Sequence, residues 1–315
     1  MAIPTVLRKA DFPTIDFTNE NPAASFMEAL RSALTTFGWN QEFNDVGTNQ
    51  VVFSNAGSGY MIKFSEHSDN DYVLIETAQS WSDIDTPVNS LFSQFYYVAD
   101  AGRTTGDLVF VGDNSRFYFI TMLDVSVDSG RTRIFFAGDI APFKTTDPYT
   151  FIAIGHDKSP VSTVATNSPS LSGLVISPLS HVSSITSVTS KYTFYGDAQG
   201  VLGQVDGSII SPGVPYELHR NIVPAQVLSE QPTILVPSYC INSQINTNIN
   251  GTQYANFVRG ILPGLHITLF PSRIITEAEY LTTVTIGGVE CLTVGTSNSE
   301  KSPFLIALND WDNLL

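Results

Sequence analysis

LVFVGDNSRFYFITML (108–123), followed by RTRIFFAG (131–138) and YTFIAIG (149–155), is the stretch that decides the fold class. Its apolar runs are dense in Val, Ile, Phe and Tyr. They are cut by Gly112-Asp113-Asn114-Ser115 and by Asp128-Ser129-Gly130. Branched and aromatic residues in runs of six to eight, bounded by such turn formers, read as consecutive β-strands. The same grammar continues in both directions. Upstream, QVVFSN (50–55) and YMIKFS (60–65) flank the short loop Ala56-Gly57-Ser58-Gly59, and DYVLIETA (71–78) extends the meander. Downstream come YTFYG (192–196), PTILVPSYC (232–240), YANFVRGIL (254–262), LHITLF (265–270) and PFLIAL (303–308). LTTVTI (281–286) and VECLTVG (289–295) enclose Gly287-Gly288, which supplies the positive φ of a two-residue hairpin turn.

One helix interrupts this pattern. Asn21 is a good N-cap, Pro22 suits the first helical position, and Gly38 is a stop signal. Between them Phe26, Leu30, Ala33, Leu34 and Phe37 recur at helical spacing, so the pattern predicts a helix over 22–37 laid on a sheet. PVNSLFSQFYYVAD (87–100) reads equally as a short helix or an aromatic loop. Residues 158–190 are rich in Ser, Thr, Val and Pro and nearly uncharged, the composition of a linker or arm. The expected organisation is therefore mainly β. It has two sandwich- or barrel-like parts, 1–157 (with the helix packed on it) and 191–315, joined by 158–190.

Composition agrees. Charged residues are only 14% of the 315, too few to coat long surface helices. The net charge is −15; residues 1–157 hold 9 basic and 20 acidic side chains, and 158–315 hold 6 and 10. So acidic a chain is repelled by nucleic-acid phosphate and by anionic lipid, and neither is an expected partner. No apolar run reaches the ~18–20 residues that span a bilayer, and the N-terminus lacks the apolar segment of a secretory signal. Two cysteines, Cys240 and Cys291, in apolar strand settings read as buried reduced thiols rather than a disulfide scaffold.

Catalytic signatures are missing. There is no G-x-S-x-G elbow, no phosphate-binding loop, and no dinucleotide fingerprint around Gly196, Gly200 and Gly203. His67, His156, His181, His219 and His266 form no metal-ligand spacing. Asp69/Asp71 and Asp83/Asp85 are the carboxylate pairs that could serve glycan hydrolysis or calcium. Turn preferences explain both pairs better. Asn250-Gly251-Thr252 is formally a glycosylation sequon but reads as a loop. Trp39, Trp81 and Phe95-Tyr96-Tyr97 could build a sugar platform, although such aromatics more often fill cores. No catalytic, cofactor-binding or metal-binding residue, no cofactor and no enzymatic activity are expected.

The segments FGW (37–39), YVLIETAQSWSDIDTPVN (72–89), LVFVGDNSRFYFITMLD (108–124) and RIFFAGDIAPFKTTDPYTFIAIG (133–155) together resemble a family of bacteriophage virion structural proteins. VRGILPGLHITLFPSR (258–273), GGVECLTVG (287–295) and ALNDW (307–311) resemble that family's C-terminal part. About two thirds of the chain is covered. Ala137 and His266 depart from the family pattern, and no functional residue transfers. The resemblance implies a structural component of a tail, neck, baseplate or capsid decoration. It would be assembled in the host bacterial cytoplasm and reside in the virion, touching other virion proteins and copies of itself, with no small-molecule ligand. A carbohydrate-binding or receptor-recognition module of the adsorption apparatus is the alternative.

Overall fold

The computed structural model describes residues 3–17, 21–68, 72–98, 105–123, 132–154, 192–196, 202–210, 235–242, 248–249, 252–253, 258–268, 281–294, 304–309 and 311. The expected arm at 158–190 lies outside them, as do Asp69, Asp71, His156, His181, His219 and Asn250.

The described chain is mainly β with one α-helix. In order it runs β1 (Thr5–Arg8), α1 (Pro22–Phe37), β2 (Asn40–Asp45), β3 (Gln50–Ser54), β4 (Met61–Glu66), β5 (Tyr72–Asp83) and β6 (Thr86–Tyr97). There follow β7 (Thr105–Gly112), β8 (Arg116–Leu123), β9 (Thr132–Asp139), β10 (Ala141–Pro142) and β11 (Phe151–Ile154). The remainder comprises β12 (Tyr192–Gly196), β13 (Leu202–Ile210), β14 (Leu235–Asn242), β15 (Asn248–Ile249), β16 (Thr252–Gln253), β17 (Val258–Thr268), β18 (Thr283–Ile286), β19 (Val289–Val294) and β20 (Phe304–Ala307). Three antiparallel sheets result. The first is the meander β2-β3-β4-β5-β6, and the second has the order β1-β7-β8-β9-β11. The third is β12-β13-β14-β17-β20-β19-β18, with β10 also pairing on β17. A ribbon, β15-β16, stands apart.

Helix α1 forms where its local signals place it. The Asn21 side chain accepts a hydrogen bond from the Ala24 N–H at 3.0 Å. Gly38 adopts φ +92°, and the Trp39 N–H closes the last turn on the Leu34 carbonyl at 3.0 Å. Its buried stripe, Phe26, Met27, Leu30, Ala33, Leu34 and Phe37, enters the first core. Each large apolar side chain there contributes roughly 1.5–3 kcal/mol of burial.

Two cores share one sheet. Phe110, Phe117, Phe119 and Phe135 of the second sheet face α1 and the first sheet's Val51, Phe53, Ile62, Phe64, Val73 and Ile75. Phe119 and Phe135 stack at 4.6 Å, and Tyr96 meets Phe119 edge-on at the same distance. The alternate residues of the second sheet, Val109, Val111, Tyr118, Ile120, Ile134 and Phe136, face Leu262, Leu265, Leu292, Val294, Ile306 and Trp311. The second sheet is thus covered on both faces. That is the physical reason its strands are continuous apolar runs rather than strict alternations. The parts on either side of 158–190 are joined through the second core and through the β10–β17 pairing.

Residues 87–100, open between helix and loop in the sequence, resolve through Tyr97 as β6, paired along β5. The β5–β6 hairpin turns at its tip so that Trp81 packs with Val52 and Ala78 on the outer face of the first sheet, with Phe43, Met61 and Ile84 against them.

Candidate functional site

Where the second and third sheets meet, the turns between strands carry charge into the interior. Asp113 opens the β7–β8 turn. Its Oδ1 accepts from the Ser115 N–H (2.8 Å), the Ser115 hydroxyl (2.8 Å) and the Arg116 N–H (3.0 Å), and its Oδ2 from Arg116 Nε (3.1 Å). Its carbonyl accepts from Trp39 Nε1 at 2.9 Å, which ties the end of α1 to this turn. The Arg116 guanidinium lies 6.0 Å from the Trp311 ring centroid.

Asp139 follows Gly138, whose φ is +134° and whose added Cβ would fall 2.3 Å from Arg116 Cα; a glycine is required there. Asp139 Oδ2 accepts from the Ser58 N–H (2.9 Å) and Asn55 Nδ2 (3.1 Å), and Oδ1 from the Thr150 hydroxyl (3.0 Å). Two chain segments, the β3–β4 loop and the stretch just before β11, therefore converge on one carboxylate. Burial raises its pKa above the ordinary aspartate value, against the opposing pull of those hydrogen bonds. Neighbouring Tyr60 is pushed up to about 12, chiefly by burial and further by Tyr149, Asp139 and Asp147.

Asp147 and Arg259 form the deepest pair. Arg259 Nη2 lies 2.6 Å from Asp147 Oδ1 and 2.7 Å from Oδ2, and Nε lies 2.9 Å from Oδ2. Their side chains are 0% and 1% exposed. Nη2 also donates to the Tyr149 carbonyl at 3.1 Å, while Asp147 Oδ1 accepts the Tyr149 N–H at 3.0 Å. Nearby, the Tyr118 hydroxyl donates to the Pro263 carbonyl and Trp311 Nε1 to the Ala307 carbonyl, both at 2.7 Å.

Chemically this seam holds backbone. Each of the three carboxylates accepts at least three hydrogen bonds, and both guanidinium groups have carboxylate partners. Such groups are positioned to fix turns rather than to bind a substrate.

The residues singled out from the sequence lie elsewhere. Asp83 and Asp85 sit at the exposed β5–β6 tip. The Asp85 N–H holds the Asp83 carboxyl below its ordinary pKa, and Asp85 Oδ1 meets Lys63 Nζ at 3.2 Å. Trp39, Trp81 and Tyr96 are buried, and the side chains of Phe95 and Tyr97 lie outside the described ones. His67 stands edge-on to Tyr72. His266 is buried with Nδ1 2.8 Å from the Gly264 carbonyl, and desolvation lowers its pKa. No group of three or more metal-ligating side chains occurs among the described residues. Cys291 is buried, and desolvation pushes its thiol up to about 11, far from a nucleophile's range. Cys240 lies on strand β14, with its side chain outside the described ones. The seam itself was not assigned from sequence, although its one signal, the recurrence of Gly-Asp after an apolar strand at 112–113 and 138–139, was visible.

No protein-family model matches this chain, and no curated protein matches it.

Proposed function

We propose that this chain is a structural subunit of a bacteriophage particle, acting through protein–protein assembly with other virion proteins and with copies of itself. The observation that supports the reading is spatial. The segments that carry the resemblance to virion structural proteins are scattered over 37–311, yet their most distinctive residues meet at one seam. Trp39 reaches Asp113, Asp139 gathers Asn55, Ser58 and Thr150, Asp147 holds Arg259, and Gly264 packs on Trp311. A seam that locks three sheets together suits a subunit that must keep one shape while neighbours pack on it. Low surface charge suits it too, since every interfacial charge must be desolvated or paired. The burial of Trp39, Trp81 and Tyr96 removes those three side chains from the carbohydrate-binding alternative.

The test is particle composition. Particles purified from a lysate of cells producing this chain should contain it at a fixed multiple-copy ratio by quantitative mass spectrometry. Absence from purified particles overturns the reading.

A further inference from the structure

The outermost strand of the third sheet has the chemistry of an open pairing edge. Among the described residues β18 pairs on one side alone, with β19. Its sequence, TVTI, holds no charge, no proline and no bulge, and Thr283 and Thr285 are exposed. Contrast β2, the outer strand of the first sheet. It carries Glu42 and Asp45 and a bulge between Gln41 and Phe43, the usual devices that keep an edge from pairing. The opposite edge of the third sheet, β12, lies against β6 and β11. Among the described residues, then, one edge is guarded by charge, one is covered, and β18 is neither.

The hairpin fixes which groups β18 offers. Ile286 and Val289 flank the two-residue Gly287-Gly288 turn, whose φ values are +59° and +85°. The pair flanking such a turn exchanges hydrogen bonds, and so does every second pair after it. Val284 and Ile286 therefore spend their backbone groups on β19, while Thr283 and Thr285 direct theirs outward.

We propose that β18 is a homotypic docking edge, adding antiparallel across a two-fold axis to the same strand of a second copy of this chain. The outward groups set the register. Thr283 stands opposite the partner's Thr285, and Val284 meets the partner's Val284 at the axis. Both are favourable cross-strand pairs with no like charges opposed. Charge complementarity selects a second copy as the occupant. The Arg8 guanidinium donates to the Leu281 carbonyl at 2.7 Å and lies 3.5 Å from Thr283 Oγ1. Glu290, exposed, stands opposite Thr285 on β19 and hence on that same face. In the proposed register each Arg8 comes beside the partner's Thr285, one strand from the partner's Glu290, and the two-fold makes this contact twice. A four-residue edge buries less than the ~1,200 Å² of a lasting interface, so one contact is weak and gains from repetition in an array. The inference deepens the assembly reading by naming a surface and its partner. It is tested on the purified chain, so its outcome is separate from whether the chain enters particles.

Cys291 lies opposite Val284 in the ladder and would capture a new thiol, so the probe is Val284→Cys in a Cys291→Ala background. Under mild copper–phenanthroline oxidation the full-length variant should form a disulfide-linked dimer, seen by non-reducing electrophoresis and intact mass. Thr285→Cys in the same background should cross-link at least fivefold more slowly, because it faces the partner's Thr283 rather than itself. Adding Thr285→Pro, which removes an outward N–H, should cut Val284→Cys cross-linking at least fivefold with an unchanged melting temperature. Equilibrium sedimentation of the unmodified chain, against Thr285→Lys, supplies a second readout independent of any cysteine change. A concentration-dependent dimer that Thr285→Lys abolishes is expected. No cross-link above the Cys291→Ala control, equal rates at 284 and 285, or a strictly monomeric parent chain overturns the proposal.

Discussion

Replacing Asp147 by alanine tests the seam most directly. The change takes the carboxylate partner from the Arg259 guanidinium, whose side chain is fully buried, while its contact with the Tyr149 carbonyl at 3.1 Å stays. It also takes the acceptor from the Tyr149 N–H. Removing one member of a buried ion pair strands an uncompensated charge, which costs about 3–5 kcal/mol. At roughly 2–4 °C per kcal/mol, the melting temperature should fall by roughly 6–20 °C. The double variant Asp147→Leu/Arg259→Met removes both charges and fills the space with apolar atoms. It should regain more than half of that loss, since an apolar replacement of a buried pair is often neutral or stabilising. Urea unfolding of the parent, both single variants and the double variant closes the cycle. The single-variant loss should also change little between about 0.05 and 0.5 M salt, because screening acts on solvated charges. A cost under about 1 kcal/mol for Asp147→Ala, against the ~3–5 expected, would refute the reasoning, as would simple additivity in the double variant.

Asp139 and Gly264 yield two further expectations. The folded protein holds the Asp139 proton to higher pH than the unfolded chain does. The group's stabilising contribution is therefore full below the unfolded carboxyl pKa of about 3.9 and is lost as pH rises through the folded value. Asp139→Asn mimics the protonated form, so the melting temperature of the parent relative to this variant should decline from pH 4 towards neutrality; a constant difference would count against it. Gly264 has φ +72°, and an added Cβ would lie 2.4 Å from Trp311 Nε1, whereas Gly287, at φ +59°, has nothing within 4 Å. Gly264→Ala should therefore cost clearly more than Gly287→Ala, which carries only the ~1–2 kcal/mol left-handed backbone penalty. Equal losses in thermal melts would show that the Trp311 contact does not matter.

What the sequence made legible follows the range of each interaction. Helix α1 was readable because Asn21, Pro22 and Gly38 act within one turn of its ends. The Gly287-Gly288 hairpin was readable for the same reason. Residues 87–97 were not, because Pro87, Asn89 and the serines weaken any local period and pairing with β5 alone makes them a strand. The runs LVFV and FYFI announced strands, but only the packing shows that both their faces are covered. Asp147 and Arg259 are 112 positions apart, and no local pattern signals such a pair. Asp83 and Asp85 caught the eye through spacing, yet they are turn residues.

Why should a seam between apolar sheets contain buried aspartates at all? Area alone would favour leucines, since desolvating a carboxylate and a guanidinium is costly even when they pair. Apolar surfaces, however, attract without direction, and two sheets can slide past each other with little change in buried area. A hydrogen bond confines its atoms to a window of a few tenths of an ångström around 2.9 Å. Asp113, Asp139 and Asp147 each gather donors that must arrive together, from Ser115 and Arg116, from Asn55, Ser58 and Thr150, and from Arg259 and Tyr149. Displacing one sheet by a single residue would strand several of these groups at once. The seam thus fixes where β1 lies against the third sheet, and with it the position of Arg8 over Leu281 and Thr283. An edge that recognises its own copy through Arg8 and Glu290 depends on that placement, so the charge buried between the sheets sets the geometry of the charge presented at their rim.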